Sequence, residues 1–470
     1  MKKSIIQLQE VNDRFDARID AEFFQPHYKQ IDKLLNKHNN CELKELAYKI
    51  TDGTHYTPSY VLNGIPFLSA INVKENILDL DCGYQYISEE EHKTLYRRCA
   101  PKANDILLRK VGVGPRYATV VPYNIPEFSL FVSVALIKSI NICPYYLSTF
   151  INSYYGQIQL LRFNKGISQP DLHLEDIATL KVPLFKENFS NLIEKTVKES
   201  YKNRQTQIEL YNSSQQIILQ ELNILNWQPK QELSYVKNFS DVNSANRCDA
   251  EYFQPKYDEI IEKIKLYPNG WDTIGNLFDQ NRDSFIVKKD NKYKYIEIGS
   301  INTSNGEITF EEIQGNDLPA NAKIKLHTSD ILISKVRTYR GAVAVVENSD
   351  YIGSGAFTVL HEKLNSQINK ETLYTFFKLK PILDLTLKYN TGTSYPTITD
   401  EDILNMPIPI FKQNIQNEIR EKIQETKKLQ TQSKQLLEIA KRGVEIAIEE
   451  NEEVATIWIH EQLSKIGVTI

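Results

Sequence analysis

Arg18-Ile-Asp-Ala-Glu-Phe-Phe-Gln-Pro-His-Tyr28 returns as Arg247-Cys-Asp-Ala-Glu-Tyr-Phe-Gln-Pro-Lys-Tyr257, so the chain states one segment twice. Working outward, Asp105-Ile-Leu-Leu-Arg-Lys-Val111 returns as Asp330-Ile-Leu-Ile-Ser-Lys-Val336. Gly166-Ile-Ser-Gln-Pro170, followed by Asp176-Ile177 and Val182-Pro183, returns as Gly392-Thr-Ser-Tyr-Pro396 with Asp402-Ile403 and Ile408-Pro409. Three blocks in one order, about 225–230 residues apart, are two copies of one domain unit. A period this long is a tandem domain duplication and not a solenoid. Two similar units imply a pseudo-twofold architecture, which suits a target that itself comes in two parts.

Each copy divides into a mixed, turn-rich part and a long helix. Short apolar runs such as Ile106-Leu-Leu108 and Val343-Ala-Val-Val346 alternate with turn signals at Asp52-Gly53, Asn63-Gly64, Asn305-Gly306 and Arg340-Gly341. After the mixed part, Phe189, Ile193, Val197, Ser200, Arg204, Ile208, Tyr211, Gln215 and Ile218 step by three or four. Ile415, Ile419, Ile423, Thr426, Leu429, Ser433, Leu436, Ala440, Val444 and Ala447 do the same in the second copy. A narrow stripe sustained that long is a coiled-coil seam, and two such helices in one chain can pair with each other. The alternative is two independent amphipathic helices, each packed on its own domain. The expected fold class is α+β, with mixed domains over 12–186 and 240–411, helical regions over 187–226 and 412–450, and a tail over 451–470 that has no counterpart in the first copy. Pro26 and Pro255 sit where a first-turn proline is tolerated, so each Asp20 or Asp249 block is expected to start a helix and seat its domain structurally.

Composition narrows the class. At 470 residues the chain can hold two to four domains, each burying its own core. The hydrophobic content of 41% and charged content of 25% are ordinary for a globular protein. A net charge of −4 neither announces nor excludes a nucleic-acid binder, because local patches matter more than the total. Five cysteines (Cys41, Cys82, Cys99, Cys143 and Cys248) include no C-x-x-C pair, which argues against a zinc site or a disulfide framework. Met-Lys-Lys-Ser-Ile-Ile-Gln lacks the apolar run of a signal peptide, and no stretch approaches the roughly 18 apolar residues of a membrane span. The expectation is a soluble, cytoplasmic protein.

Catalytic signatures are missing. There is no N/D/S-P-P-Y/F motif with a glycine-rich cofactor loop, no G-x-x-x-x-G-K-[ST], no H-E-x-x-H and no G-x-S-x-G. The eight histidines are dispersed. The chain reads as a binder and organiser that carries no catalysis, metal or cofactor of its own.

The ordered blocks D-A-E-F-F-Q-P-x-Y, Thr51-Asp-Gly-Thr-His-Tyr-Thr-Pro58, Gly64-Ile-Pro-Phe-Leu-Ser-Ala-Ile-Asn-Val73, the D-I-L-L block and G-x-S-x-P ending in Val-Pro or Ile-Pro make the chain resemble the specificity (S) subunits of type I restriction-modification systems. The resemblance runs from about residue 12 to 450. It implies that each mixed part is a target recognition domain reading one half of a split, asymmetric double-stranded DNA sequence. The two long helices would pair as an antiparallel coiled coil, act as a spacer and dock two methyltransferase (M) subunits, with motor-nuclease (R) subunits outside. S-adenosylmethionine, ATP and Mg would belong to the partners. Two other readings stay open: a specificity subunit of a fused or otherwise nuclease-coupled restriction system, and a coiled-coil scaffold without DNA specificity.

Candidate DNA contacts follow from side-chain chemistry. Arg109, Lys110, Arg116 and Tyr117 in the first copy match Lys335, Arg337, Tyr339 and Arg340 in the second. Each set follows an apolar run and mixes cations, glycine and tyrosine, suited to phosphates or guanine edges. Thr54, His55 and Tyr56 offer hydroxyls and an imidazole in a turn. Asn72 and Asn302 occupy equivalent positions, where an asparagine serves an adenine edge or a turn cap. Lys165, Gln169 and Tyr395 lie in or beside the G-x-S-x-P blocks.

Overall fold

The computed structural model describes residues 9, 11, 18–80, 83–164, 170–230, 232–392 and 394–470. The chain forms two compact units, Met1–Arg204 with Gln430–Ile470, and Gln205–Leu429. No helix among the described residues is long and apolar enough to cross a membrane.

In the first unit the apolar run Ile106–Arg109 becomes a strand of a four-stranded antiparallel sheet, ordered Ala47–Asp52, Val134–Ser139, Ile106–Arg109, Ala118–Val120. Its side chains alternate between faces. Ile106 and Leu108 enter one core with the helices Pro144–Asn152 and Tyr154–Phe163, while Leu107 enters another with Leu68, Val73 and Leu130. Buried on both faces, the strand has to be continuously apolar. The second core lies against a smaller sheet ordered Ser129–Leu130, Ile65–Leu68, Gln85–Ile87, Tyr60–Val61.

The second unit repeats this plan. Its main sheet runs Phe278–Gln280, Phe357–Glu362, Ile331–Ser334, Val343–Val345. Ile331 and Ile333 enter the core with helices Lys370–Phe377 and Lys380–Tyr389, and Leu332 enters the other. The smaller sheet differs at one edge: Ala322–Lys325 pairs antiparallel with Tyr351–Ser354, whereas Tyr60–Val61 of the first unit pairs with Gln85–Ile87. The aspartate that opens each repeated strand has a shared duty. Asp105 accepts from the Lys102 amide at 2.7 Å and pairs with Lys138, while Asp330 accepts from the His327 amide at 2.8 Å and pairs with His361 at 3.0 Å.

The opening repeat is a clamp at the end of a helix. Arg18 pairs with Asp20, lies 4.9 Å over the Phe23 ring, and reaches the carbonyls of Arg162 (3.5 Å) and Asn164 (3.4 Å). Arg247 does the same through Asp249 (2.8 Å), the Tyr252 ring (4.6 Å) and the carbonyls of Tyr389 (3.4 Å) and Asn390 (3.0 Å). Helices Pro26–Leu35 and Pro255–Lys265 then start on proline. The block therefore seats its domain on the helix ending at Phe163 or Tyr389.

The long helices are Glu187–Glu221 and Gln413–Glu449. Within the first unit Ile193 and Val197 share a core with Leu436, Ala440, Val444 and Ala447, running antiparallel. Within the second, Tyr211 and Ile218 share one with Ile419 and Ile423. The stripe read at Arg204, Ile208 and Gln215 needs correction. The buried positions are Asn203 (7% exposed), Gln207 (6%) and Ser214 (0%), while Ile208 is 37% exposed. Polar residues fill the middle of this helix face, where an apolar pattern cannot register them.

The tail folds as a helix, Glu452–Lys465, capped by Asn451, whose side chain accepts from the Glu453 and Val454 amides at 3.0 Å each. It packs into the first unit through Ala455, Ile459 and Leu463. Gly443 leaves room for it, because a Cβ there would lie 2.5 Å from Ile459 Cδ1.

Candidate nucleic-acid interface

In the second unit the strand Ile331–Ser334 runs into a loop, 335–341, whose backbone pairs with the segment around Pro396. Arg337 N donates to Pro396 O at 2.8 Å and Ile398 N to Lys335 O at 3.0 Å, with Val336 bridged to Thr397. Two sequence blocks about 60 residues apart thus share one surface. Arg337, in a left-handed conformation with φ +49°, lies 5.0 Å over the Tyr395 ring and donates to Ser394 O at 3.1 Å. Tyr395 is 71% exposed, and Arg340, on the loop, is exposed as well. Lys335 pairs with Asp400 at 3.1 Å, and Tyr339 is half-buried. Asn302 caps its own turn, accepting from Ser304 N at 2.9 Å and Ser304 Oγ at 2.6 Å, yet remains exposed.

The first unit joins the equivalent segments: Gly112 N donates to Pro170 O at 3.2 Å and Leu172 N to Lys110 O at 3.1 Å. Its side chains are used differently. Lys110, 5% exposed, donates to Asp52 at 3.0 Å and lies 3.8 Å from Asp171. Arg116 is fully buried, bonding Asn164 Oδ1 (2.8 Å) and Pro170 O (2.9 Å); burial, then the nearby charge of Arg109, lowers its pKa. Asn72, 0% exposed, accepts from Ser69 N and donates to Asp79 O, both at 3.0 Å, so the capping reading fits it. Thr54 is buried, with its amide on Leu130 O at 2.9 Å.

What the first unit does expose is His55 and Tyr56. His55 lies 3.2 Å from the Asp52 carboxylate, which also takes Arg98 at 2.7 Å, and Tyr56 donates to Glu91 at 2.6 Å. Arg109 is half-buried with its Nε on Val111 O at 3.3 Å, and Tyr117 is half-buried. Lys165 and Gln169 lie outside the described residues.

Residues 268–440 match the family model of the type I restriction modification DNA specificity domain. Among solved structures the chain is similar to the type I restriction-modification S subunit from M. genitalium, at 13% identity over 92% of this chain and 96% of that one, TM-score 0.42. It is also similar to the HsdS subunit from Thermoanaerobacter tengcongensis (14%, 90% and 96%, TM-score 0.24) and to a chain from a study of complex assembly and conformational transition of the type I R-M system (15%, 92% and 97%, TM-score 0.25). No curated protein matches the chain.

The matched specificity domain takes in both segments that carry Arg337 and Tyr395. Among the described residues no group of three or more His, Cys, Asp or Glu side chains could hold a metal ion. Sequence reasoning missed Asp52, which sits inside the Thr51–Pro58 block and gathers Lys110, Arg98 and His55. Its position in that block was the available signal. It also missed Lys378, which no motif marks.

Proposed function

We propose that the chain is the DNA sequence-specificity subunit of a type I restriction-modification complex. Each mixed domain reads one half of a bipartite, asymmetric double-stranded target. The long helices scaffold two methyltransferase (M) subunits and the motor-nuclease (R) subunits. The subunit is non-catalytic and cytoplasmic, and S-adenosylmethionine, ATP and Mg act on its partners.

The observation that carries this reading is the Arg337–Tyr395 pair on an exposed surface inside the matched specificity domain. A guanidinium held by ring stacking keeps N–H donors in a fixed plane, the arrangement suited to a phosphate or to the O6 and N7 edge of guanine. Arg337 stands in a left-handed turn just past the end of its strand. The duplication of the surrounding frame in the other unit supports a two-part target.

The test is a domain exchange within the complete operon. Replacing residues 240–411 with the equivalent part of a relative changes one half of the methylated sequence and leaves the other intact. Methylation mapping reads the result, and a simultaneous change in both halves overturns the one-domain, one-half assignment.

A further inference from the structure

We infer that Lys378 is a positioning residue for the second unit's interface, its ammonium tying the turn that carries Asn302 to the loop that carries Arg337 and Arg340. This rests on the proposed DNA-reading role of that loop.

Lys378 closes the helix Lys370–Phe377 and is 6% exposed. Its Nζ donates to Thr303 O at 2.5 Å and to Gly341 O at 3.2 Å. Those carbonyls lie one residue beyond Asn302 and Arg340. The turn is pressed onto the same helix: Tyr374 donates to Asn305 O at 2.9 Å, and a Cβ at Gly306 (φ +70°) would lie 2.5 Å from the Tyr374 hydroxyl. One helix end therefore fixes two segments that are otherwise separate in sequence.

The first unit shows that the fold does not require a charge here. At the corresponding helix end Asn152 donates to Ala118 O and accepts from Ala118 N, both at 2.8 Å. Gln157 holds the Arg116 backbone in the same way, at 3.0 and 2.8 Å. Neutral amides hold that loop. The second unit instead keeps a cation out of water, and among the described residues no carboxylate pairs with it. Burying an unpaired ammonium is unfavourable unless something gains from it. The gain lies in the field: a desolvated positive charge directly beneath a loop is poorly screened and attracts an anionic backbone. Bonds from an ammonium are also stronger than those from an amide.

Burial lowers the pKa of Lys378 from 10.5 to about 8. Elements packed around it carry Glu307, Arg337 and Arg340, and Lys380 pairs with Asp384 while Glu371 lies within 3.8 Å of Lys370. Burial raises the hydroxyl pKa values of Tyr374 and Tyr211, so neither titrates in this window. As pH rises through the folded value the ammonium becomes an amine, its two bonds weaken and the field beneath the loop is lost.

The experiment compares the full chain with K378M and K378Q. Hydrogen exchange reports peptides covering 302–306 and 338–343, with peptides of the first unit as a folding control. K378M should lose about tenfold protection in both segments, the worth of one charge-assisted bond, and K378Q should recover part of it. In parallel, binding to a mixed-sequence duplex pool is followed from about pH 7 to about pH 9. Wild type should weaken about threefold or more across that range, and K378M should be weaker with no step. Unchanged exchange in K378M overturns the tie. Raised exchange with wild-type affinity and an intact pH step overturns its role at the interface. A wild-type chain that binds no duplex refutes the DNA reading, while exchange still decides the tie. Should K378M fail to fold, the wild-type exchange profile decides: protection of both segments, corrected for intrinsic rates, falls across this range, and a flat profile overturns the inference.

Discussion

Ser200 and Ser433 meet hydroxyl to hydroxyl at 2.8 Å in the apolar seam of the first unit, each also reaching the other's carbonyl, at 2.9 and 3.1 Å. A paired polar layer in a helix seam fixes its register, because a shift would set both hydroxyls against Val197 or Leu436. Replacing one serine with alanine should cost about 1 kcal/mol, and replacing both should cost little more than replacing one. A double-mutant cycle in urea measures this. Full additivity of the two single changes would show that the serines do not act as a pair.

At Gly443 the usual helix rule should reverse. Glycine to alanine in a helix interior normally gains roughly 0.5–1 kcal/mol. Here the new methyl would lie 2.5 Å and 2.7 Å from Ile459 Cδ1 and Cγ1, so G443A should lower stability by about 1–2 kcal/mol through overpacking. In an I459A background the same change should become stabilising. Thermal melting of the four variants gives the sign in each background.

The cations of the two loops should behave differently on DNA. R337A and R340A should each reduce the slope of log affinity against log salt by about 0.9 if they meet phosphates. If one reads guanine, its loss should instead cost about 1–3 kcal/mol at one base pair. R116A should lower stability and leave both the salt slope and the sequence preference unchanged, because its guanidinium is buried on Asn164 and Pro170. Salt titrations of the three variants on one duplex separate these cases.

Acid should weaken the second clamp in a defined direction. The hydrogen bond from Arg247, opposed by partial burial, holds the Asp249 carboxyl below its ordinary value of 3.8. A depressed folded pKa contributes stability that is present above the unfolded value and lost as pH falls through the folded one. D249N should therefore be less stable than wild type at neutral pH and show a shallower loss between about pH 4 and pH 2. Denaturation series at several acid pH values, run on both proteins, check the slope.

The repeat, the mixed domains and the long helices were legible because each leaves a local signature, either a repeated string or a period. The site was less so. Lys110 and Arg116 look like surface cations in a glycine-rich stretch, and only partners 58 and 48 residues away in sequence, Asp52 and Asn164, remove them from solvent. Arg337, at the position two residues beyond the equivalent lysine, finds a ring 58 residues on, at Tyr395, and stays at the surface. Long-range pairing of this kind has no period. The phase slip at Arg204 and Ile208 has a different origin, because Asn203, Gln207 and Ser214 are buried polar groups and hydrophobic patterning does not count them.

The first unit is assembled from Met1–Arg204 and Gln430–Ile470, whereas the second is the unbroken stretch Gln205–Leu429. On a ribosome adding about 5–20 residues per second, the nascent first unit waits roughly 10–45 seconds for its closing helices. Through that interval the stripe at Ile193 and Val197 has no Leu436 or Val444 to cover it. The second unit meets no such delay, since every residue of its core emerges in one run. Translation thus completes the later-encoded half before the earlier one, and the apolar stripe left waiting is where a neighbouring nascent chain can exchange a helix with this one.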